Sequence, residues 1–247
     1  MSKKLWITGA SSGIGKAVAE KFAKEGWKVA VSARRVELLE KLAVHENISS
    51  FPLDVTNSEN CKTTFKQILQ KFNNIDICFF CSGTYDPKKE QELNLEQNKF
   101  VMDVNYFGTL NCVKAVEQYF KKRKDGHISI VSSIAGYRGL PNSSGYGPTK
   151  AALTNFAESI YFDFKKYNVR VSVVSPGFIK TPLTDKNKFS MPFLRSAEFA
   201  ADKVFDGLVK SNSFEVHFPK QLTITLKFLR ILPYKIYLFL VDKLVKR

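Results

Sequence analysis

Cysteine is scarce in this sequence, with only Cys61, Cys78, Cys81 and Cys112 among 247 residues. Their spacing matches no disulfide framework of the kind that stabilises small secreted domains. Cys78 and Cys81 form a CxxC pair, but the segment that begins at Ile75 is predicted to be a buried strand, where residues three apart point to opposite faces. Without a second pair of ligands, the sequence predicts no zinc or other metal site and no redox motif. Reduced, buried thiols are typical of a reducing compartment.

Long apolar runs are also missing. No stretch reaches the roughly 20 apolar residues that a membrane-spanning helix needs. Met1 to Lys4 leads directly into the apolar run from Leu5 to Thr8, which is too short for the hydrophobic region of a secretory leader. We therefore expect a cytoplasmic protein, with peripheral membrane association as the alternative that the carboxyl-terminal residues raise.

Acidic residues are too few to balance the basic ones. There are 23 Asp and Glu against 38 Lys and Arg, a formal net charge of +15 at pH 7. Such an excess indicates an anionic partner, namely a nucleotide phosphate, a nucleic acid or an anionic membrane surface. Nucleic acid is not favoured, because the basic residues are scattered, are densest in an apolar tail, and do not alternate with aromatic residues along a groove.

The sequence is rich in short apolar runs that alternate with segments of helical spacing, which predicts βαβ units and a parallel sheet. We predict an α/β fold, a Rossmann-like doubly wound parallel sheet of about seven strands with helices on both faces and a C-terminal helical extension. One domain would span residues 1–218, followed by a basic, apolar helical tail over 219–247. The predicted strands are Lys4–Thr8, Lys28–Ala33, Ile48–Pro52, Ile75–Cys81, His127–Ser132, Arg170–Ser175 and, more weakly, Phe214–Phe218.

The first predicted strand ends in a glycine-rich turn, TGASSGIG, and a helical pattern follows at once. Gly9 can form the tight turn, Gly13 lets the backbone approach a pyrophosphate, and Gly15 lets the helix pack closely on the sheet. The amino end of that helix offers N–H groups and a positive dipole end to phosphate. The alternative, a merely flexible turn, is disfavoured by the strand–turn–helix context. The candidate cofactor contacts here are Gly9, Ser11, Ser12, Gly13, Ile14 and Gly15.

This turn resembles that of the short-chain dehydrogenase/reductase family, whose pattern is TGxxxGIG and not the GxGxxG of other Rossmann enzymes. The resemblance extends from residue 4 to about residue 200. It implies a nicotinamide cofactor, and the second predicted strand indicates which one. Enzymes that bind NAD commonly place an acidic residue near the end of this strand.

In this sequence Ala33 stands at the end of the second strand and is followed by Arg34 and Arg35. A carboxylate would repel a 2′-phosphate, whereas a guanidinium can bind it with two hydrogen bonds. The pair therefore favours NADP(H) over NAD(H); the alternative is that both arginines are solvated charges at a helix start. Asp54 and Val55, after the third strand, resemble the adenine-contacting DV pair of the family.

Tyr146 and Lys150 form a YxxxK pattern, and residues at i and i+4 share one face of a helix. A free tyrosine has a pKa of about 10, which is too high for a ready base at neutral pH. A nearby ammonium stabilises the phenolate, so we expect Lys150 to lower the pKa of Tyr146 toward the working range. Both residues are also candidate cofactor contacts.

Two further residues complete a constellation. Ser133 lies 13 residues before Tyr146, at a strand end, where its hydroxyl can bond the same substrate oxygen. Ser132 is its near competitor. Asn105 falls in the middle of a predicted helix, where asparagine carries a propensity penalty. Asn105, Ser133, Tyr146 and Lys150 match the catalytic tetrad of the family in order and approximate spacing, and the resemblance implies that Asn105 holds a water of the proton relay.

A turn after the sixth strand resembles the PG turn that lies against the nicotinamide in the family. It implies cofactor contacts from Pro176, Gly177, Ile179 and Thr181, and the alternatives are a plain turn and a helix cap. One departure stands out, since Phe80-Cys81-Ser82-Gly83 replaces the usual NNAG. Gly83 is retained as a cofactor contact, but the asparagine that braces the sheet is missing.

The carboxyl-terminal third is the least standard part. Residues 185–197 are expected to form an apolar substrate lid, which indicates a lipophilic substrate. Leu222–Leu232 and Tyr234–Val245 are predicted helices separated by Pro233 and studded with Lys and Arg, including Lys246 and Arg247. Residues 222–247 are thus predicted either to lie in a membrane interface or to pack on the domain or on another subunit.

Together these patterns predict an NADP(H)-dependent oxidoreductase that transfers a hydride between nicotinamide and a carbonyl or secondary alcohol of a small lipophilic molecule, with Tyr146 as general acid and base. The alternative is a non-catalytic, nucleotide-sensing regulatory protein on the same fold. A sensor would have no need of Ser133, Tyr146 and Lys150 together. By resemblance we also expect a homodimer or homotetramer.

Overall fold

The computed structural model describes residues 2–90 and 92–245 and contains a sheet of seven parallel strands. Each of the seven predicted strands is confirmed, with ends that differ by two residues at most. The strands are β1 (Lys4–Thr8), β2 (Lys28–Ser32), β3 (Ile48–Ser50), β4 (Ile77–Phe80), β5 (His127–Val131), β6 (Arg170–Pro176) and β7 (Glu215–Phe218). Their order across the sheet is β3-β2-β1-β4-β5-β6-β7.

Helices connect the strands and cover the sheet, as expected for a Rossmann-like fold. The continuous stretch from α4 to α5 passes through a π-helical turn, Asp103–Phe107, and a second π turn, Asp206–Lys210, follows α7. Short 3-10 turns lie at Ile134–Gly136 and Thr184–Lys186. The α-helices are α1 (Gly13–Lys24), α2 (Val36–Leu42), α3 (Ser58–Phe72), α4 (Leu95–Met102), α5 (Gly108–Arg123), α6 (Tyr146–Lys165), α7 (Ala197–Phe205), α8 (Lys220–Ile231) and α9 (Tyr234–Val245).

The alternation of side chains along the strands divides the apolar core into two. Leu5 and Ile7 pack into one core, whereas Trp6 packs into the other. In the same way Cys78 lies in the core that contains Trp6, and Cys81 packs against the core that contains Leu5. The CxxC pair is therefore split between two faces, as its spacing predicts. Among the described residues, no cluster of three or more His, Cys, Asp or Glu could hold a metal ion.

The sheet order reverses between β1 and β4, and this reversal positions the site. After β1 the chain proceeds to β2 and β3 on one side, and β4 then starts the other half of the sheet. At such a switch point the loops after the two neighbouring strands separate and leave a crevice outside the carboxyl ends. The glycine-rich turn after β1 and the Cys81–Gly83 segment after β4 both border this crevice.

The two tail helices, α8 and α9, lie on either side of Pro233, and their inner faces pack on the domain. Leu222, Tyr237 and Val241 are buried there. Arg138 fixes the junction, since its guanidinium lies 4.4 and 4.0 Å from the ring centres of Tyr234 and Tyr237. It also donates hydrogen bonds to the main-chain carbonyls of Leu229, Arg230 and Leu232 at 3.2, 3.1 and 2.7 Å.

The outer faces of the same two helices are apolar and exposed. Over residues 2–90 and 92–245, no helix is long and apolar enough to cross a membrane. The predicted tail residues Lys246 and Arg247 lie outside the described part of the chain. The division into residues 1–218 and 219–247 stays a prediction. The exposed apolar residues of α8 and α9 are Ile224, Phe228, Ile231, Tyr234, Ile236, Leu238 and Phe239.

Candidate active site

A cleft of about 480 Å³ opens at the carboxyl edge of the sheet. It is lined by every predicted cofactor contact and by three of the four predicted catalytic residues. The exception is Asn105, whose neighbour Val104 lines the cleft in its place. Residues that the sequence did not single out also line it, among them Leu53, Thr84, Val131, Pro182 and Leu183, and so does Lys186 of the predicted lid.

The glycines of the turn after β1 occupy positions where a side chain would not fit. Gly9 has a φ of +71°, and a Cβ there would lie 2.8 Å from the carbonyl oxygen of Cys81 and from the backbone of Ser82. A Cβ on Gly15 would collide with the carbonyl of Gly9. The turn is therefore shaped for close approach of backbone to backbone, and it leaves a backbone-lined concavity at the amino end of α1.

That concavity has the chemistry that a pyrophosphate needs. Ser12, at the amino end of α1, makes no side-chain capping bond to the helix, so the first N–H groups of the helix are not satisfied by its side chain. Exposed N–H groups and the positive dipole end both favour an anion. The residues present thus fit the phosphates of a dinucleotide.

Two arginines line the next part of the cleft, after β2. The Arg35 guanidinium donates hydrogen bonds to the hydroxyl oxygens of Ser11 and Ser12 at 2.8 and 2.9 Å, which holds it over the glycine turn. Arg34 lines the cleft beside it, and Ala33 occupies the strand end where a carboxylate would oppose a 2′-phosphate. The electrostatics of this end of the cleft thus favour an additional phosphate.

The segment after β4 is braced in spite of its departure from the family pattern. The hydroxyl oxygen of Thr8 lies 3.3 and 3.4 Å from the main-chain nitrogens of Cys81 and Ser82, which donate to it. A Cβ on Gly83 would come within 3.4 Å of Asn105 Oδ1 and 3.7 Å of Lys150 Nζ. The chain after β4 is consequently tied to β1 and runs directly against the predicted tetrad.

Asn105 lies in the π-helical turn between α4 and α5 and is fully buried. Its Oδ1 accepts the main-chain N–H of Thr84 at 2.7 Å, and its Nδ2 donates to the Thr84 carbonyl and to Thr149 Oγ1, each at 3.1 Å. The side-chain amide is therefore used to join the segment after β4 to α6. π-helical turns occur often at functional sites, and this one turns Asn105 toward the chain that carries Tyr146.

Ser133 and Ser132 differ in what their hydroxyls do. Ser132 donates to the carbonyl of Lys150 at 2.7 Å and contacts Thr154 Oγ1 at 2.8 Å, so its hydroxyl is occupied within the structure of α6. Ser133 Oγ accepts the main-chain N–H of Ala135 at 3.2 Å, interacts with the hydroxyl of Tyr146 and faces the cleft. The geometry favours Ser133 as the hydroxyl that meets a substrate.

Burial shifts the pKa values of Tyr146 and Lys150 in opposite directions. It raises the pKa of Tyr146 well above the usual value, and the hydroxyl of Ser133 offsets only part of that effect. It lowers the pKa of Lys150 to about 8. Lys150 Nζ lies 5.5 Å from the centre of the Tyr146 ring and donates to the carbonyl of Val131 at 2.9 Å. The expectation that Lys150 lowers the pKa of Tyr146 is therefore wrong for this structure, because desolvation raises that pKa and the group that partly offsets it is Ser133, not Lys150.

The turn after β6 closes the cleft. Gly177 donates its N–H to the carbonyl of Phe218 at 2.7 Å, and Ile179 is buried. Thr181 lines the cleft and also bonds Thr184, whose main-chain N–H approaches Thr181 Oγ1 at 3.4 Å. Both interpretations of Thr181, a contact in the cleft and a cap for the following short turn, thus have support in the geometry.

Tyr85 is a residue of the site that the sequence did not indicate. Its ring lies 4.9 Å from that of Tyr146, and Lys186, from the predicted lid, donates to its main-chain carbonyl at 3.3 Å. Tyr85 stands in an irregular loop with no periodic pattern, so no sequence signal points to it. This loop therefore contacts the predicted lid through the carbonyl of Tyr85 and places the Tyr85 ring beside Tyr146.

Comparison with known proteins agrees with this geometry. Residues 3–190 match the family model described as short chain dehydrogenase. An uncharacterized oxidoreductase of Myxococcus xanthus is 32% identical over 92% of this chain and 91% of its own. A short chain dehydrogenase from Burkholderia cenocepacia in complex with NADP is 25% identical with a TM-score of 0.81, over 93% of each chain. A relative from Burkholderia phymatum in complex with NAD is 20% identical, covers 92% of each chain with a TM-score of 0.79, and shares the fold.

We predict that Lys150→Met raises the free energy of unfolding at pH 7 by up to about 3 kcal/mol. The pKa of Lys150 is about 8 in the folded chain, against 10.5 unperturbed. At this one group the unfolded chain therefore binds more protons than the folded chain between these two pH values. The penalty of the buried ammonium falls as pH rises from about 8 to 10.5, so the stability difference between the variant and the wild type should shrink over that range.

Urea unfolding between pH 7 and pH 11 measures the effect. Lys166→Met is a matched control, since Lys166 follows the same helix but is exposed. A stability difference between Lys150→Met and the wild type that stays constant from pH 7 to pH 11 would mean that Lys150 does not titrate with a lowered pKa.

Proposed function

This chain belongs to the short-chain dehydrogenase family, and on that premise we propose that it transfers a hydride between NADP(H) and the carbonyl or secondary alcohol carbon of a small lipophilic molecule. As a member of this family it is an oxidoreductase. The observation that carries the finer proposal is the convergence of Ser133, Tyr146 and Lys150 with the glycine turn on a single cleft.

The cofactor, when bound, supplies or accepts the hydride. The residues proposed to hold it are the glycine turn, Arg34, Arg35, Asp54, Val55, Gly83 and the turn from Pro176 to Thr181. Tyr146 donates a proton from its hydroxyl to the substrate oxygen, and Ser133 donates a hydrogen bond to the same oxygen. Since burial raises the pKa of Tyr146, its hydroxyl is protonated at neutral pH, which suits a general acid in carbonyl reduction.

The proposal of NADP(H) over NAD(H) rests on charge. Arg34 and Arg35 line the end of the cleft after β2, where the strand is followed by Ala33 and not by an acidic residue. Structural relatives are found with either nucleotide, so the preference depends on these two side chains of the present protein.

The proposal of a lipophilic substrate rests on the apolar residues that lie between Ser133 and the tail helix α8. Ile134, next to Ser133, is buried with Tyr137 and Leu222, and Phe178 and Leu226 pack against them. Phe189 of the predicted lid lies 5.9 Å from Phe178, ring centre to ring centre. A molecule that extends from Ser133 in this direction meets apolar surface.

The outer faces of α8 and α9 are proposed to lie on an anionic membrane surface. Their exposed apolar residues follow helical spacing, with Ile224, Phe228 and Ile231 on one face of α8. Lys220, Arg230, Lys235 and Lys243 flank these faces. Apolar faces bordered by cations bind an interface by burial and by attraction to anionic lipids.

Self-association is proposed through the helices that carry the site. Phe107, at the junction of α4 and α5, and Phe162 of α6 are 50% and 66% exposed. Large exposed aromatic residues on neighbouring helices are typical of an interface. Sedimentation of the purified chain as a homodimer or homotetramer would support this assignment, and a monomer would oppose it.

We predict that the protein oxidises NADPH in the presence of apolar ketones or aldehydes and that Tyr146→Phe lowers kcat by about 100-fold or more, because the variant lacks the transferable proton. Absorbance at 340 nm measures the reaction over a panel of carbonyl compounds. Tyr161→Phe, on the same helix, is the control. Equal activity of the two variants would contradict the role of Tyr146.

We predict that NADPH binds at least tenfold more tightly than NADH, and that Arg34→Ala and Arg35→Ala each reduce this difference through loss of a cation at the 2′-phosphate. Fluorescence titration with both nucleotides measures the two dissociation constants. Lys41→Ala, an exposed substitution on α2, should leave the ratio unchanged. Equal affinities in the wild type would mean that the arginines do not select the cofactor.

We predict that the protein sediments with vesicles that contain phosphatidylserine and does so less as salt increases, because charge contributes to binding. The double variant Ile224→Ser, Phe228→Ser should lose most of this binding. Val44→Ser removes an exposed apolar residue far along the chain and serves as control. If the double variant still binds the vesicles, the outer face of α8 is not the membrane contact.

A further inference from the structure

We infer that Glu90 is a positioning residue for the active site, whose carboxylate holds the amino end of α6 and thereby places Tyr146. The inference rests on the proposed function for its catalytic consequence, but its structural part is independent of it. Glu90 lies in the loop between β4 and α4, 56 residues from Tyr146 in the chain.

The carboxylate accepts two main-chain hydrogen bonds. Glu90 Oε2 lies 3.0 Å from the main-chain nitrogen of Gly145 and 3.0 Å from that of Tyr146. The first N–H groups of a helix have no partners within the helix, and a carboxylate is also favoured there by the helix dipole. Glu90 is only 2% exposed, so these two bonds are shielded from water.

The sequence of α6 makes an external cap necessary. Gly145, which precedes the helix, has no side chain that could cap it. Gly147 adds backbone freedom in the first turn, and Pro148 has no N–H to contribute. Tyr146 is the first residue of the helix, so the position of its main chain depends on what holds this weak first turn.

The second carboxylate oxygen lies on the same side of Gly145 as Asn98 of α4. Glu90 Oε1 and Asn98 Oδ1 have no hydrogen-bond partner among the described residues. They lie 3.2 and 2.8 Å from the point that a Cβ on Gly145 would occupy. Both oxygens therefore border the same small space beside Gly145. Position 145 has no room for a side chain because these groups meet there.

Glu90 also acts on Tyr146 through its charge. The groups that face Tyr146 are Cys81 after β4, Tyr85 and Glu90 in the following loop, Ser133 after β5, and Lys150 of α6. Burial is the largest cause of the raised pKa of Tyr146, and Cys81, Tyr85 and Glu90 raise it further. Asp86 lies near Glu90 and, with burial, raises the pKa of Glu90 itself, whereas the two N–H donors lower it. At the alkaline pH where a tyrosine titrates, Glu90 is ionised.

The test compares Glu90→Ala, Glu90→Gln and the exposed control Glu92→Gln. Amide hydrogen exchange of residues 145–149 reports the cap directly. We expect Glu90→Ala to speed this exchange about fivefold or more and to lower kcat about tenfold or more, with the affinity for NADPH unchanged. Exchange in α1 and α7 reports whether the rest of the fold is intact.

Glu90→Gln separates the cap from the charge. Its amide oxygen can still accept the two N–H groups, so exchange at residues 145–149 and the maximal kcat should stay close to wild type. A loss of kcat in Glu90→Ala that Glu90→Gln restores would therefore report the cap and not the charge. Glu92→Gln removes a charge at an exposed position of the same loop and should leave both the exchange and kcat unchanged.

Two results would overturn the inference. One is wild-type exchange at residues 145–149 in Glu90→Ala. The other is a kcat of Glu90→Ala equal to that of Glu92→Gln while exchange at residues 145–149 is fast, which would mean that the cap does not position Tyr146. If no carbonyl substrate is turned over by any variant, the proposed function fails, yet the exchange measurement still decides whether Glu90 holds the helix.

Discussion

The close approach of two backbone segments, the turn after β1 and the chain after β4, is the constraint on which the cleft depends. Gly9 leaves no space for a Cβ between itself and the backbone of Cys81 and Ser82, and Thr8 binds the same two residues through its hydroxyl. This contact fixes the separation of the two halves of the sheet at their carboxyl edge. Gly83 then follows against Asn105, which in turn binds the helix that carries Tyr146 and Lys150.

Several buried polar side chains form hydrogen bonds that join one secondary-structure element to another. Asn105 joins the segment after β4 to α6, Ser132 bonds the main chain of α6, and Lys150 bonds the carbonyl of Val131 at the end of β5. Each of these side chains is buried and carries at least one hydrogen bond, which limits the free-energy cost of its desolvation. Helix α6 is therefore positioned by hydrogen bonds as well as by apolar packing.

The sequence was sufficient for the features that have a local pattern. The strands, the glycine turn and the grouping of its residues with Tyr146 and Lys150 follow from periodicity, from glycine spacing and from the family resemblance. The loop that carries Tyr85 and Glu90 has no period and no motif, so its contacts with Tyr146 could not be foreseen. The direction of the Tyr146 pKa was predicted wrongly, because a spacing of four residues reveals the nearby charge but not the extent of burial.

The hydrogen bonds of Arg138 bear on how the tail can change in evolution. They are made to three main-chain carbonyls near the end of α8, and a carbonyl is present whatever the side chain is. Most substitutions along the outer faces of α8 and α9 would leave this attachment in place, as long as the helix ends at the same residue. Arg138 can therefore keep the tail helices attached to the domain while the residues on their exposed surface diverge.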